Sequence, residues 1–88
     1  EAEELTGGAR QSDYGHPVDN FQNIANFWND YINGKYGTDL ELDAEDVGFL
    51  MVLLKVAREL NAPIRDNLVD SAGYINTIQM IRDKNKTG

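Results

Sequence analysis

The chain contains no cysteine, two prolines and a single histidine among its 88 residues. Without cysteine, neither a disulfide bond nor a thiolate zinc site can stabilise the fold. No uninterrupted apolar run approaches the roughly 18 residues that mark a transmembrane helix, and no signal-peptide pattern opens the chain. We therefore expect a cytoplasmic protein that does not interact with membranes.

Basic residues are also scarce. Eight lysines and arginines stand against fifteen aspartates and glutamates, which gives a net charge of −7 at pH 7. This charge repels phosphate backbones at long range, so we do not expect nonspecific binding to nucleic acid. The acidic balance is compatible with a metal-assisted site, with an acidic protein partner, or with solubility alone.

The length allows one domain with one modest core, over 1–88. A domain of this size buries only about 60% of the surface that its unfolded chain exposes. We therefore expect its stability to depend on long apolar helices, on self-association, or on both.

Proline and glycine divide the chain into four segments with helical patterns. The first is EAEEL, which a Gly-Gly pair closes. The second begins at Pro17, because proline is tolerated in the first turn of a helix, and should end within NGKYG. Its predicted inward stripe recurs at steps of three and four residues: Val18, Phe21, Ile24, Ala25, Trp28, Tyr31 and Ile32.

The third helix should begin at DAED, where Asp43 is a good N-cap and Asp46 completes a pattern close to a capping box. From Val47 to Leu60 the segment is apolar almost all round, which is typical of a helix buried on every side. A chain this short has too few elements to surround such a helix, so we expect a homo-oligomer. The preceding TDLEL alternates and could be extended, but one strand makes no sheet.

The fourth helix follows the break at Pro63, with Asp66 as its expected cap. Its inward stripe is predicted to comprise Leu68, Ala72, Ile75, Ile78 and the stem of Arg82. The sequence thus predicts an all-α fold, a compact bundle of about four helices that oligomerisation completes.

The loop ARQSDYGHP holds the only histidine, immediately before the second helix. Gly15 and Pro17 are explained by turn chemistry. The side chain of His16 could cap the helix, pack against Tyr14, or act as an acid, a base or a ligand. A histidine with no second histidine and no cysteine is a weak signal for a metal site.

Two cations, Lys55 and Arg58, interrupt the most apolar helix. On the fourth helix, Asp66 and Asp70 lie one turn apart, with Gly73 nearby to permit a close approach of the helices. In an antiparallel hairpin the cations can face the carboxylates. That arrangement is either an interhelical ion-pair network or a site where carboxylates hold Mg²⁺ and cations bind phosphates.

Three stretches, GGARQSDYGHPVDNF, EDVGFLMVLLKVAREL and RDNLVDSAGYI, resemble an uncharacterised all-α family of small phage and prophage proteins. The resemblance rests on a D-Y-G-x-P run, an apolar helix with a lysine and an arginine, and a D-x-x-x-D-x-A-G-Y stretch. It covers about Glu3 to Ile81. It implies a phage-encoded protein, located in the host cytoplasm.

The layout is also distantly similar to the MazG-like all-α nucleoside triphosphate pyrophosphatases. In those enzymes an E-x-x-E pair and an E-x-x-D pair hold Mg²⁺, which activates water and neutralises the triphosphate. Glu1 and Glu4 match the first spacing, but Asn67 stands where the second has glutamate, and Asp66 is the nearest substitute. The resemblance implies dimers or tetramers.

The leading hypothesis is a small phage-type helical protein that binds a phosphorylated nucleotide, with Mg²⁺-dependent hydrolysis as an extension. The rival hypothesis is a non-enzymatic acidic interaction protein that binds and modulates a host protein, and a third is a purely structural assembly unit. The candidate ligands are Lys55, Arg58, Arg65, Tyr14 and His16 for the nucleotide, and Glu4, Asp66 and Asp70 for Mg²⁺.

Overall fold

A computed structural model describes residues 16–87, which form three α-helices and no strand. Helix α1 comprises Pro17–Tyr36, helix α2 Ala44–Asn61 and helix α3 Arg65–Thr87. The all-α prediction is therefore confirmed. The structure has three helices in this part of the chain instead of about four, since the predicted first helix, EAEEL, lies outside the described residues.

Both ends of α1 follow from local sequence. Pro17 occupies the first turn, and the backbone N–H of Val18 donates to Nδ1 of His16 at 3.1 Å, so His16 is the N-cap. At the other end Gly37 adopts a left-handed conformation with φ 65°, and its N–H donates to the carbonyl of Asn33. The expected end within NGKYG is thus correct, although Gly34 lies inside the helix.

Helix α2 begins with the capping box that its sequence indicates. Oδ1 of Asp43 accepts from the N–H of Asp46 at 2.9 Å, and Oδ2 of Asp46 accepts from the N–H of Asp43 at 3.0 Å. Aspartate is therefore long enough to close this box in place of glutamate or glutamine.

Helix α3 begins at Arg65, so the expected cap, Asp66, instead lies in its first turn, where a carboxylate interacts favourably with the helix dipole.

The segment between α1 and α2 is held by two asparagines, one turn apart on α1. Nδ2 of Asn29 donates to the carbonyl of Leu42 at 3.0 Å, and Oδ1 of Asn29 accepts from the N–H of Leu42 at 2.9 Å. Asn33 makes the same pair of bonds with Leu40, at 2.9 and 2.8 Å. These amides bind backbone groups of the segment as a neighbouring strand would.

The core lies where α1 crosses the α2–α3 hairpin. Gly48 permits a close approach of α2 to α3, because a Cβ at this position would overlap Cγ1 of Ile78. A Cβ on Gly73 would meet nothing within 4 Å, so the close approach predicted there is wrong. The buried apolar residues are Val18, Phe21, Ala25, Ala44, Val47, Ile78 and Ile81, while Tyr31 of the predicted α1 stripe is exposed.

The inward face of α3 matches the prediction at Ile78, which is buried, but differs from it nearer the loop. Leu68 and Ile75 are 65% and 56% exposed, and Ala72 is exposed as well. Asn67, only 5% exposed, takes the inward position instead, because its Nδ2 donates to Oε1 of Glu59 on α2 at 3.1 Å. A hydrogen-bonded amide can be buried at little cost. Near the loop, α3 therefore turns position 67 inward and not position 68, a rotation of about one residue from the predicted apolar stripe.

Helix α2 is not buried on every side within one chain. Its face towards α1 and α3 is covered, but much of the opposite surface is exposed, so completion of the bundle by oligomerisation stays a prediction. Despite this apolar surface, none of the helices in 16–87 is long and apolar enough to cross a membrane. The large exposed side chains of α2 are Phe49, Leu50, Leu53, Leu54, Val56 and Leu60.

Candidate functional site

Helices α2 and α3 form an antiparallel hairpin whose register is visible in its polar pairs. Next to the loop, Glu59 contacts Asn67. One turn further from the loop, Nζ of Lys55 lies 2.9 Å from Oδ2 of Asp70. The antiparallel arrangement that would bring cations and carboxylates together is therefore confirmed.

The Lys55–Asp70 ion pair is the only one of the predicted interhelical pairs that forms within 16–87. The Lys55 side chain is 15% exposed and that of Asp70 is 44% exposed. A lysine in an apolar helix needs a carboxylate, an anion or a path to water. Asp70 meets that need, so this pair by itself is consistent with the interpretation of the charges as a structural network.

The other predicted ligands on the hairpin, Arg58, Arg65 and Asp66, are exposed and form no ion pair with the described part of the chain. Arg58 lines an open recess of about 340 Å³ beside the α2–α3 loop, together with Asn61 and Asn67. We call the set Lys55, Arg58, Arg65, Asp66 and Asp70 the polar seam. It combines three cations and two carboxylates in the half of the hairpin nearest its loop.

His16 has a defined structural role. Its Nδ1 accepts the N–H of Val18, and its carbonyl accepts the N–H of Asn20 at 3.0 Å. This is the capping alternative among those open at the sequence level. Because Nδ1 is engaged as an acceptor, only Nε2 of this ring could bind a ligand without breaking the cap. Tyr14, the other candidate for contact with the base, lies outside the described residues.

The candidate Mg²⁺ ligands are incomplete in the described part of the chain. Residues 16–87 contain no group of three histidine, cysteine, aspartate or glutamate side chains that could hold a metal ion. Of the predicted set, Asp66 and Asp70 lie one turn apart, Asp70 is paired with Lys55, and Glu4 lies outside the described residues. The residues in 16–87 therefore do not by themselves fit a Mg²⁺ site.

The contact between Glu59 and Asn67 was not among the predicted interhelical pairs. Oε1 of Glu59 also accepts the N–H of Ile64 at 3.2 Å, so this carboxylate holds both the loop and the first turn of α3. Asn67 is the residue that departs from the pyrophosphatase pattern, and the departure has a structural reason, since the amide can donate to Glu59. The signal in the sequence was a carboxylate and an amide on either side of Pro63.

A second charged cluster lies at the far end of the hairpin. Nη2 of Arg82 lies 2.7 Å from Oε1 of Glu45, and its guanidinium lies 5.9 Å from the centre of the Phe49 ring. The hydrogen bond from Arg82 to Glu45 and the charge of that carboxylate raise the pKa of Arg82 above its usual value. The whole Arg82 side chain is 53% exposed, so burial of its stem stays a prediction.

Comparison with known proteins gives matches in phages. The protein named Gene 55 protein in Mycobacterium phage L5 is 38% identical over 82 residues, which cover 92% of this chain and 49% of the relative. Gene 55 protein of Mycobacterium phage D29 is 35% identical over 85 residues, which cover 96% of this chain and 52% of the relative. The chain thus spans about half the length of the curated relatives it matches. No solved structure matches it.

A family model described as Domain of unknown function (DUF6378) matches residues 1–82. The match covers the three motifs on which the resemblance to small phage proteins rests, and both relatives are encoded by phages. The resemblance to a phage family is thereby confirmed, whereas the likeness to MazG-like enzymes stays a prediction. The chain belongs to the DUF6378 family, and the two relatives described above are phage proteins.

Proposed function

We propose that the polar seam binds the phosphates of a nucleotide. The observation that carries the proposal is the concentration of three of the eight basic residues, Lys55, Arg58 and Arg65, on one half of a hairpin in a chain of net charge −7. Guanidinium and ammonium groups are the side chains that bind phosphate oxygens. Arg58 and Arg65 have no ionic partner in 16–87, so an anion can bind them without displacing one.

In this proposal Lys55 changes partner when the ligand binds. It is now held by Asp70, and a phosphate oxygen would compete with that carboxylate for the ammonium group. His16 has no part in this site, because Asp19 in the adjoining turn pairs with Lys84 near the end of α3, about 27 Å along that helix from Asp66. No described residue is therefore assigned to the base. Mg²⁺ belongs to the proposal only with Glu4, because Asp66 and Asp70 alone are too few carboxylates. No hydrolytic step is assigned to the described residues.

Thermal unfolding with a panel of nucleoside mono-, di- and triphosphates, with and without Mg²⁺, tests the proposal. A ligand that binds only the folded chain stabilises it by RT ln(1 + [L]/Kd), about 2.7 kcal/mol at 100 times Kd. Arg58→Gln should reduce the shift in melting temperature. Lys35→Gln, a matched loss of one exposed cation on α1, should leave the shift unchanged. The absence of a shift with every nucleotide would contradict the proposal.

The second candidate function is a non-enzymatic interaction protein that binds and modulates a host protein. It is favoured by the pairing of Lys55 with Asp70, which requires no ligand, and by the apolar side chains exposed on α2. A small helical domain with uncovered apolar surface is typical of proteins that act by association.

Replacement of one carboxylate separates the two candidates. If Asp70 is only the structural partner of Lys55, Asp70→Asn should lower stability by about 0.2–1 kcal/mol, as for partly exposed pairs, and no nucleotide should protect the parent. If the seam binds a nucleotide together with Mg²⁺, Asp70→Asn breaks the same apo ion pair, so only ligand binding separates the candidates. Nucleotide with Mg²⁺ should then protect the parent, and the variant should lose that Mg²⁺-dependent protection. Calorimetry of both proteins with and without Mg²⁺ and nucleotide measures the difference.

A further inference from the structure

One side of the α2–α3 hairpin carries a row of apolar residues on each helix. On α2 it comprises Phe49, Leu53, Val56 and Leu60, which recur at steps of four, three and four residues. On α3 it comprises Leu68, Ala72 and Ile75, at steps of four and three. Leu53, Leu60 and Leu68 are 59%, 85% and 65% exposed. We call these seven residues the α2–α3 apolar face.

Helix α1 does not cover this face. The core that α1 makes with the hairpin contains Val47 and Ile81 but none of the seven residues of the face. Val56 follows Val47 by nine residues, or two and a half turns, and therefore lies on the opposite side of α2. The hairpin is thus covered on one side by α1 and uncovered on the other.

Two ion pairs border the face, and Glu59, which lines a recess with Leu60 and Leu68, is held by hydrogen bonds from Ile64 and Asn67. Glu45 pairs with Arg82 at one end, and Lys55 pairs with Asp70 between the helices. None of the seven face residues is ionisable, although the chain carries a net charge of −7. The seven residues themselves offer a partner no charge, so two identical faces meet no electrostatic repulsion from these side chains.

Residues 1–15 are a poor occupant for the face. This segment holds only two large apolar side chains, Leu5 and Tyr14, against four acidic ones, at 1, 3, 4 and 13. Six large apolar residues on the face would need more apolar surface than this to be covered. The segment therefore does not match the face in composition.

The face has the dimensions of half of a four-helix bundle. From Phe49 to Leu60 it extends about 17 Å along α2, and the two helix axes of such a hairpin lie about 8–10 Å apart. Apolar residues at alternating three- and four-residue steps on two adjacent helices are the pattern by which bundles pack. We propose that the α2–α3 apolar face binds the same face of a second copy, so that two hairpins form a symmetric four-helix bundle. The association needs no nucleotide and is independent of the function proposed for the polar seam.

Sedimentation velocity of this chain without nucleotide tests the proposal. The parent should sediment as twice the 9.9 kDa of one chain at micromolar concentration. Leu53→Glu puts an unpaired charge at the centre of the paired faces, so it should shift the protein to the mass of a single chain. Because Leu53 is largely exposed in one chain, the variant should keep its helical circular dichroism.

Two further variants keep the result interpretable. Ala72→Glu, at an exposed position of α3 on the same face, should also give monomers. Phe27→Glu introduces the same charge at a 72% exposed residue of α1, away from the face, and should leave the dimer intact. A monomeric parent would overturn the proposal. The face would then be assigned to another protein, or to a segment like those that the longer relatives have beyond the matched region. A dimer that survives both face variants would overturn it too, since the copies would then associate elsewhere.

Discussion

Asn29 binds Leu42 as a neighbouring strand would, with its side-chain amide in place of a backbone. Nδ2 donates to the carbonyl and Oδ1 accepts from the N–H, at 3.0 and 2.9 Å. Leu42 thereby packs against the core just before α2 begins. Together with the same pair of bonds between Asn33 and Leu40, this contact positions the connecting segment before the hairpin.

We expect Asn29→Asp to lower the free energy of unfolding by about 1–3 kcal/mol. The carboxylate keeps the acceptor but loses the donor, so the carbonyl of Leu42 loses its partner. Asn26→Asp is the matched control, because the Oδ1 of Asn26 only accepts a bond from Gln22 and aspartate preserves it. Urea denaturation of the three proteins measures the difference. Equal losses in both variants would show that added charge, and not the lost donor, is responsible.

Gly48→Ala should destabilise the hairpin by about 1–3 kcal/mol, since the new methyl group overlaps the side chain of Ile78. The same substitution at Gly73 has open space and removes a glycine from a helix interior, so it should raise stability by up to about 1 kcal/mol. Thermal unfolding should therefore move the two melting temperatures in opposite directions. A Gly48→Ala protein that melts at or above the parent temperature would contradict the close contact between α2 and α3.

Asp43→Ala should cost about 1 kcal/mol, because it opens the capping box and leaves the N–H of Asp46 without its acceptor. Asp39→Ala removes the same charge from the same loop, at an exposed residue that makes no hydrogen bond with 16–87, and is the control. Chemical denaturation compares them. If both variants lose the same stability, the effect comes from net charge and the cap contributes nothing measurable.

Asn67→Glu introduces the glutamate of the pyrophosphatase pattern and tests why it is absent here. It places a second carboxylate against Glu59 at a buried position, so we expect a loss of about 3 kcal/mol. Glu59→Gln in the same protein should restore part of the stability, since a neutral amide can donate to the new carboxylate. Asn76→Glu, exposed on α3, should be nearly neutral. A stable Asn67→Glu variant would show that this position tolerates a metal-ligand carboxylate.

The helix boundaries could be predicted because their causes are local. Pro17, Gly37 and the Asp43–Asp46 box act on backbone groups within a few residues of themselves, so their effect does not depend on the rest of the fold. The same holds for α1, where Val18, Phe21 and Ala25 are buried as their spacing indicates. Membership of a phage family was also visible, since it rests on motifs that are read directly from the chain.

The sequence by itself therefore determined the all-α class, the limits of the helices and the set of charged residues able to bind phosphate. Only the tertiary structure decided which side of α3 turns inward and which face of α2 is uncovered. It also decided that Lys55 pairs with Asp70, while Arg58 and Asp66 form no pair within 16–87. The reason is the register of the hairpin. A helix of mixed composition has several sides it could bury, and the choice depends on contacts such as Glu59–Asn67 between residues on different helices, whose energies no local pattern contains.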